Sequence, residues 1–350
     1  MSAEKRRNKK GFLYTKEIIV WVLLFVFLTG LLVYHKDRIL GKEKESTGEE
    51  TQAESEDSMF DDTGEDAEAD HSQDSEPALT EPEAETPGQT EALTVPEGSG
   101  PLSVYFLDVA EGDAAVLTLN GEVMVIDGGD EAHAGVLTSW LQKLGIGRVD
   151  YMISSHPHKD HAGGLPAVYQ TAAVGKMYTP VTEYAENASF TELMRLAGEQ
   201  GTEVIVPTAG STFGFGGAEV TFLGPTRYNE EEMNNNSLVV RVRFGSRTFL
   251  FTGDAEAVEE ADILSSGADV KADILKVSHH GSPYASSEAF VQAVQPEACV
   301  ISVGQNEYGH PSGDVLQRFS AVGAIVYETW ISGTITVVTD GTSLQWNFER

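Results

Sequence analysis

Six of the nine histidines in this chain fall in three short clusters, each directly after a run of residues that predicts a β-strand. The clusters are His156, His158 and His161 in SSHPHKDHAGG, His279 and His280 in LKVSHHGS, and His310 in NEYGHPSG. Imidazole nitrogens on loops at strand ends are the donors that a divalent metal site requires. The spacing therefore predicts a metal site at one edge of a sheet.

The first cluster carries the most specific pattern, His-x-His-x-Asp-His followed by two glycines. His156 and His158 can converge on one metal ion, while Asp160 and His161 turn towards a neighbouring ion. Cys299 is the only cysteine, which excludes a cysteine-rich zinc module and a disulfide scaffold. Any metal must therefore be held by histidines and carboxylates.

Two further carboxylates follow predicted strands. Asp127 ends EVMVID, and we expect its carboxylate to orient a ligand histidine without binding the metal itself. Asp254 ends FLFTGD, where its carboxylate could bridge two cations, cap the following helix, or do both. His279 or His280 would supply another nitrogen ligand, and the sequence leaves open which of the two does so.

The elements that position these residues begin at Leu102. Predicted strands are LSVYFLDV, AAVLTL, EVMVIDGG, VDYMISSH, TEVIVP, AEVTFLG, SLVVRVRFG, RTFLFTGD, ADILKVSHHG, EACVISVG, GAIVYET and GTITVVTD. Helices are predicted over residues 134–144, 189–199, 258–264, 286–294 and 313–319. Hairpins followed by alternating strands and helices favour an α/β fold with a mixed sheet covered by helices.

The N-terminal part of the chain predicts a membrane anchor and a tether. Residues 18–34, IIVWVLLFVFLTGLLVY, carry no charge and are long enough to cross a bilayer as one helix. The alternatives are a cleaved signal peptide and a buried core helix. Six basic residues before the span and four after it favour a cytoplasmic N-terminus, residues 1–17, and an extracytoplasmic remainder. We therefore predict a single-pass protein of the cell membrane.

The net charge of −32 divides into +5 for residues 1–40, −18 for residues 41–100 and −19 for residues 101–350. The acidic, polar composition predicts that residues 35–100 form a disordered linker, with an acidic binding segment as the alternative. Residues 101–350 form the globular domain. Its charge excludes a basic nucleic-acid coat and argues against a strong long-range grip on nucleic acid. Arg241, Arg243 and Arg247 form its one local basic stretch, either a small phosphate-binding patch or a solvated face.

Taken together, the segments SHPHKDHAGG, FTGD and SHHGS resemble the metallo-β-lactamase fold. More narrowly, LDVAEGDAAVL, NNNSLVVRV and NEYGHPSGDVLQRF resemble the extracytoplasmic hydrolase-like domain of the ComEC competence family. The resemblance implies a four-layer α/β/β/α sandwich with metals at one edge of the sheets. It places Asn236, Ser237 and Ser282 beside the metals or the substrate, and it suggests partners in the cell envelope or in DNA uptake.

The chain departs from the family patterns in two places. No histidine occurs between His161 and His279, where the superfamily has a further ligand, and an Asn-rich stretch that ends at Ser237 takes that place. We therefore expect one or two divalent ions, either Zn²⁺ or a cation that accepts oxygen ligands, such as Mn²⁺. Ala110 and Glu111 replace a Gly-Gln pair, which we expect to affect substrate contacts more than metals.

These residues predict a metal-dependent hydrolase of phosphodiesters, in nucleic acid or in a phosphorylated envelope component. Asp160 would help to hold the second cation or accept a proton, and Asp254 would bridge. His310 would protonate a leaving oxygen or bind a phosphate; its alternative is to cap the helix that begins near Pro311. The alternative function is a surface module that keeps the metal as structure and binds without turnover. β-Lactam hydrolysis is disfavoured by the missing histidine.

Overall fold

The computed structural model describes residues 98–350. The predicted anchor at residues 18–34, and all but the end of the predicted linker, lie outside the described residues. Within residues 98–350 no helix is long and apolar enough to span a bilayer.

Fifteen strands and seven α-helices make up the described part of the chain. The strands are β1 Leu102–Phe106, β2 Ala114–Leu119, β3 Glu122–Gly128, β4 Arg148–Ile153, β5 Ala173–Tyr178, β6 Glu203–Ile205, β7 Thr212–Phe215, β8 Ala218–Gly224, β9 Val239–Phe244, β10 Arg247–Phe251, β11 Ile274–Lys276, β12 Ala298–Ile301, β13 Ile325–Glu328, β14 Ile335–Thr339 and β15 Leu344–Phe348. The helices are α1 Ala134–Lys143, α2 Lys159–Ala162, α3 Ala188–Gln200, α4 Ala257–Ser265, α5 Glu288–Val294, α6 Gly313–Ala321 and α7 Thr329–Ser332. Short 3₁₀ turns cover Glu131–His133, Leu165–Gln170, Met233–Asn236 and Ser278–Gly281.

The strands form two mixed sheets. The first has the order β15-β14-β1-β2-β3-β4-β5-β6, antiparallel up to β3 and parallel from β3 to β6. The second has the order β13-β12-β11-β10-β9-β8-β7, parallel from β13 to β10 and antiparallel beyond. Each sheet therefore brings the carboxyl ends of several parallel strands to one edge.

The sheets pack face to face because their strands alternate apolar side chains between two buried faces. In β10, Phe249 and Phe251 face the core between the sheets, whereas Leu250 belongs to the core on the outer face of the second sheet. Leu102 and Phe106 of β1 contribute to the same inter-sheet core. A strand with both faces buried is continuously apolar, as the run FLF of β10 is.

Helices cover the outer face of each sheet. Leu137 of α1 and Phe190 of α3 bury their side chains against the first sheet. Phe290 of α5 and Phe319 of α6 do the same on the second sheet. The layers are therefore α/β/β/α, as the resemblance implies, and the five predicted helices all form with their ends within about two residues of the prediction.

Three strands do not follow from the hydrophobic pattern. β5 contains Gly175 and Lys176, β7 is a four-residue hairpin arm with Gly214, and all five residues of β15 are partly or fully exposed. Their hydrogen-bonded neighbours, and not their own composition, make them strands.

Candidate metal centre

The candidate site lies where parallel strands of both sheets end. The His-x-His-x-Asp-His segment, residues 156–161, follows β4, and Asp127 lies at the end of β3 beside it. Asp254 follows β10, and His279 and His280 follow its parallel neighbour β11. Because the carboxyl ends of these strands meet, the fold brings together side chains that are more than 100 residues apart in sequence.

Asp254 is the centre of the cluster. Its Oδ1 lies 3.1 Å from His161 Nε2 and 3.7 Å from His280 Nε2. Its Oδ2 lies 3.9 Å from His156 Nε2 and 3.8 Å from His279 Nε2. The carboxylate thus separates two pairs of imidazole nitrogens, which is the position expected for a group that bridges two cations.

Asp254 does not cap the following helix, contrary to the alternative that the sequence left open. Helix α4 has Glu256 at its N-cap position, and the side chain of Glu256 makes no capping hydrogen bond. Asn235 Oδ1 instead accepts the backbone N–H groups of Glu256 and Glu259, both at 3.2 Å. The backbone N–H of Asp254 donates to Ser237 Oγ at 3.0 Å, which fixes the carboxylate for contacts with the histidines.

Asp160 lies beside His161 and His280, the two histidines that approach Oδ1 of Asp254. Its Oδ2 lies 3.1 Å from His280 Nε2 and 3.6 Å from His161 Nε2. One donor atom from each of Asp160, His161, Asp254 and His280 lies within 4.8 Å of all the others. Two carboxylates and two imidazoles at such separations form a donor set suited to a divalent cation.

Several of these donor atoms are buried but not aligned for hydrogen bonding. Nε2 of His156, Nε2 of His161 and Oδ1 of Asp254 find no hydrogen-bond partner among residues 98–350. Leaving such atoms unsatisfied is costly unless another ligand occupies the space between them. The candidate ligands therefore fit a divalent metal.

The electrostatics of the cluster also favour positive charge at its centre. Burial alone lowers the pKa of His280, but Asp254 and the neighbouring carboxylates outweigh it and raise that pKa to about 10. Burial also lowers the pKa of His161, but the charges of Asp254 and then Asp160 outweigh it and hold that pKa well above its usual value. Burial, and then the charge of His161, holds the pKa of His156 well below its usual value, which leaves a neutral imidazole.

Asp127 lies behind the first histidine cluster, as the sequence analysis expected. Its Oδ2 is 3.0 Å from His161 Nδ1 and accepts Ser155 Oγ at 2.6 Å, while its Oδ1 accepts the Ser155 backbone N–H at 2.7 Å. Asp127 adopts a left-handed backbone conformation with φ of 57°, which turns the chain sharply at the end of β3. The carboxylate therefore fixes the ring of His161 with Nε2 towards Asp254.

Both His279 and His280 face the site, although they are adjacent in sequence. Their φ angles are 47° and 52°, so two successive residues are in the left-handed region. His280 is buried, with Nδ1 2.9 Å from the carbonyl oxygen of Ser302. His279 is half-buried, with Nδ1 3.2 Å from Glu256 Oε1. Neither ring turns away from Asp254.

A cleft of about 740 Å³ opens above the cluster. The predicted residues His158, Asp160, Asp254, His279, His280 and His310 line it, together with Glu111, Asp130, Glu131, Lys159, Asn234, Tyr308 and others. His158 is half-buried, and its ring centroid lies 4.6 Å from that of His156. Charged residues of both signs reach this cleft, which makes it the candidate substrate site.

His310 enters the cleft from a loop. Its ring lies 5.8 Å from the rings of His279 and Tyr308, and burial, then the charge of His279, lowers its pKa. The alternative role for His310, capping the helix near Pro311, is wrong, because Ser312 caps α6 by accepting the backbone N–H of Val315 at 3.3 Å. Among residues 98–350, Nδ1 of His310 has no hydrogen-bond partner.

The residues assigned from the Asn-rich stretch divide between two places. Ser237 lies beside the cluster, with Oγ 3.5 Å from His156 Nδ1. Asn236 is buried outside the cleft, where its side chain makes two hydrogen bonds to the backbone of Asn229 at 2.7 and 2.8 Å. The expected contact of Asn236 with substrate is therefore corrected: Asn234 faces the cleft instead, with a buried Oδ1.

Ser282 also lies outside the cleft. Its backbone N–H donates to the carbonyl oxygen of His279 at 2.7 Å, and its Oγ accepts the backbone N–H of Tyr284 at 3.4 Å. The contacts of Ser282 therefore close the turn that holds His279 and do not reach the lining of the cleft.

A buried ion pair that was not predicted from the sequence lies behind His280. Asp113 and Lys276 are both buried, with Oδ2 and Nζ 2.7 Å apart, and Asp113 Oδ1 lies 3.4 Å from His280 Nδ1. The signal was an acid in EGDAAVL, directly before β2, and a lysine at the end of the otherwise apolar β11. A charged residue within a buried strand indicates a buried partner.

The arginine stretch on β9 and β10 is neutralised by carboxylates. Arg241 pairs with Asp269 at 2.9 Å, Arg243 with Glu219 at 3.1 Å and Arg247 with Glu297 at 3.1 Å. These contacts argue against a phosphate-binding patch, and the arginine side chains, 11–22% exposed, form a paired face in place of the solvated face that the sequence left as the alternative.

Comparisons with known proteins agree with the fold. The model of the Metallo-beta-lactamase superfamily matches residues 107–305. ComE operon protein 3 of Bacillus subtilis is 27% identical over 251 residues, which cover 66% of this chain and 32% of that protein. Recombination protein 2 of Haemophilus influenzae is 30% identical over 238 residues, covering 66% of this chain and 28% of that protein.

Competence protein ComA of Neisseria gonorrhoeae is 30% identical over 232 residues, which cover 65% of this chain and 31% of that protein. This chain thus spans less than a third of the length of each of these relatives. The resemblance to ComEC-family domains is confirmed. From the match over residues 107–305, the chain belongs to the metallo-β-lactamase superfamily.

Proposed function

We propose that this protein is a membrane-anchored, metal-dependent hydrolase that cleaves a phosphodiester. The observation that carries the proposal is the position of Asp254 between two pairs of imidazole nitrogens, with Asp160 beside one pair. A divalent cation bound there would lower the pKa of a coordinated water to about 7 and polarise a phosphoryl oxygen. Zn²⁺ and Mn²⁺ both suit the mixed nitrogen and oxygen donors.

The protein's own residues would orient the substrate and move protons. Nearby histidines outweigh the effect of burial and keep the pKa of Asp160 low, so its carboxylate is ionised and would help to hold a cation or accept a proton from water. His310 lies across the cleft and would hydrogen-bond a phosphate or protonate the leaving oxygen. Lys159 lines the same cleft and would attract the phosphate charge.

The substrate class follows from the small number of cations around the cleft. Glu111, Asp130 and Glu131 share the lining with Lys159, and the arginines of β9 and β10 are paired elsewhere. Because phosphate contacts by Lys and Arg supply most non-specific nucleic-acid affinity, we expect a weak grip on long DNA. The substrate would therefore present one phosphodiester at a time, as a strand end, a short oligonucleotide or an envelope phosphodiester does.

The proposed location is the outer side of a cell membrane. The apolar segment at residues 18–34 would anchor the chain, with its basic N-terminus in the cytoplasm and the domain outside. The relatives named for competence and recombination make DNA-uptake partners a reasonable target for a search, alongside envelope components. Protection of the acidic linker from protease in intact cells would contradict this orientation.

The proposal is tested with the full-length chain, bis-p-nitrophenyl phosphate and short DNA, each with Zn²⁺ and with Mn²⁺. We expect turnover that chelation abolishes and that Asp160→Asn lowers by about 10²-fold or more. Asp314→Asn is the matched control, because Asp314 is exposed in the first turn of α6 and does not line the cleft. Lack of turnover with either metal would refute the hydrolase proposal.

The second candidate function is metal-stabilised binding without turnover. It is favoured by the absence of any histidine between His161 and His279. Binding of a short oligonucleotide to the metal-loaded protein, without cleavage under any of these conditions, would support this function.

A further inference from the structure

We propose that His279 and His280 serve two different cation positions, so that His279 replaces the histidine that is absent between His161 and His279. The inference rests on the proposed metal-dependent function and adds the number of cations and the partition of their ligands. Five observations on the described residues support it.

First, four histidines share one arrangement. Nδ1 of each ring is near a protein oxygen: Ser155 Oγ at 3.1 Å from His156, Asp127 Oδ2 at 3.0 Å from His161, Glu256 Oε1 at 3.2 Å from His279, and Ser302 O at 2.9 Å from His280. Nε2 of each ring lies 3.1 to 3.9 Å from the Asp254 carboxylate. A histidine that binds a metal typically directs its other ring nitrogen to a carboxylate, a carbonyl or a water in this way. His280 meets this description with a hydrogen bond, and His279 meets it through the proximity of the Glu256 carboxylate.

Second, the two oxygens of Asp254 divide the rings into pairs. His161 and His280 approach Oδ1, whereas His156 and His279 approach Oδ2. Ligands about 2 Å from a common cation lie roughly 3 to 4 Å from one another, and each of the four ring nitrogens lies at about that distance from its oxygen of Asp254. The two adjacent histidines therefore belong to opposite sides of the bridge.

Third, the remaining donors follow the same division. Asp160 Oδ2 lies 3.1 Å from His280 Nε2 and completes the Oδ1 side. His158 packs edge-on against His156 and lines the cleft, which places it on the Oδ2 side. The Oδ2 side already has His156, His158 and Asp254. His279 is its fourth donor, and four is the usual number of ligands in a zinc-type site.

Fourth, the backbone holds His279 in this place. Its N–H donates to the carbonyl oxygen of Gly253 at 3.1 Å, next to Asp254, and its carbonyl oxygen accepts the N–H of Ser282 at 2.7 Å. Two successive left-handed residues are uncommon outside glycine and cost free energy, so the surrounding structure must compensate for them.

Fifth, Glu256 has a position that a purely structural role for His279 does not explain. It is the N-cap residue of α4, but its side chain makes no capping hydrogen bond; its Oε1 lies 3.2 Å from His279 Nδ1 and also accepts Asn234 Nδ2 at 3.4 Å. A carboxylate behind a ligand histidine raises the basicity of the nitrogen that faces the metal.

The inference is tested by metal stoichiometry. The full-length chain is stripped with a chelator, titrated with Mn²⁺, separated from free metal and measured by elemental analysis. We expect two equivalents in the unchanged protein and one in His279→Ala, with the remaining ion on the Oδ1 side. His280→Ala should also retain one equivalent, and the double variant should retain none.

His310→Ala is the matched control for these counts, because its ring faces the same cleft without reaching Asp254, and it should retain two equivalents. A measurement that needs no variant is the electron paramagnetic resonance spectrum of the loaded protein, in which two Mn²⁺ ions bridged by Asp254 give a spin-coupled signal. His279→Ala should convert this signal to that of an isolated ion.

Two equivalents and a coupled signal in His279→Ala would overturn the inference, as would one equivalent in the unchanged protein. If the unchanged protein binds two ions but does not hydrolyse any phosphodiester, the inference holds and the proposed catalytic function fails. If it binds none, both fail. Circular dichroism of each variant shows whether the loss of a metal ion is due to the loss of a ligand or to unfolding. If His279→Ala is unfolded, the electron paramagnetic resonance spectrum of the unchanged protein is the deciding measurement.

Discussion

Removing the Asp113 carboxylate should cost far more stability than removing a surface carboxylate. Its Oδ2 lies 2.7 Å from Lys276 Nζ, and the two side chains are 6% and 5% exposed. Burial alone raises the pKa of Asp113, but Lys276 and the nearby histidines outweigh it and keep the carboxyl ionised. Asp113→Asn would leave the ammonium of Lys276 buried with the Val277 carbonyl as its hydrogen-bond acceptor.

Breaking a buried ion pair by neutralising one partner costs about 3–5 kcal/mol, whereas an exposed pair contributes about 0–1 kcal/mol. We therefore expect Asp113→Asn to lower the free energy of unfolding by about 3–5 kcal/mol. The matched control is Glu203→Gln, which removes an exposed partner of Lys176 and should cost less than about 1 kcal/mol. Urea denaturation of the metal-free, full-length chain measures both values.

A second pair of measurements distinguishes the contribution of Asp113 to stability from its contribution to metal affinity. Replacing both partners with apolar residues, as in Asp113→Leu with Lys276→Met, should recover most of the lost stability, because no unpaired charge remains. Metal affinity should nevertheless stay about 10-fold or more below that of the unchanged protein, since Asp113 Oδ1 lies 3.4 Å from His280 Nδ1 and helps to hold that ring. A loss of less than 1 kcal/mol in Asp113→Asn, similar to the surface control, would refute this reasoning.

Three further outcomes follow from the structure. Asn235→Ala should lower the free energy of unfolding by about 1–2 kcal/mol, as measured by urea denaturation, because Asn235 Oδ1 accepts two backbone N–H groups at the start of α4. His310→Ala should lower turnover of bis-p-nitrophenyl phosphate by about 10²-fold, and equal turnover would exclude a proton-transfer role. Metal affinity should increase with pH: the pKa of His280 is raised to about 10, so a proton occupies this ligand below that pH and a cation must displace it. Calorimetric titration at pH 6, 7 and 8 checks this, and an affinity that falls as pH rises would contradict it.

The fold could be predicted largely because its inner strands are buried on both faces. Continuous apolar runs such as FLF in β10, and the turn residues around them, identify a strand without knowledge of its neighbours. β15, in contrast, is a partly exposed edge strand that is held by its hydrogen bonds to β14. Its sequence has no pattern of buried apolar residues from which a strand could be predicted. The assignment of two sheets required the resemblance, because local patterns do not reveal which strands pair.

The first histidine cluster could be assigned because its residues are close in sequence and their types are specific to metals. Asn236 could not be assigned in the same way. Three successive asparagines differ in sequence only by position, yet in the 3₁₀ turn they take different directions: Asn234 faces the cleft, Asn235 caps α4 and Asn236 closes its own loop. A one-residue shift in such a turn rotates the side chain by more than 100°, so residue type alone does not locate it.

The pair His279 and His280 shows the same difficulty at the metal centre. Neighbouring side chains in an extended segment point in opposite directions, which is why the sequence suggested that only one of the two would be a ligand. The left-handed backbone of both residues removes that restriction and turns both rings towards Asp254. Non-glycine residues are uncommon in this conformation, and the composition around SHHGS does not predict it. In the proposed partition of ligands, the left-handed backbone of SHHGS thus lets His279 take the place of the ligand that is missing between His161 and His279.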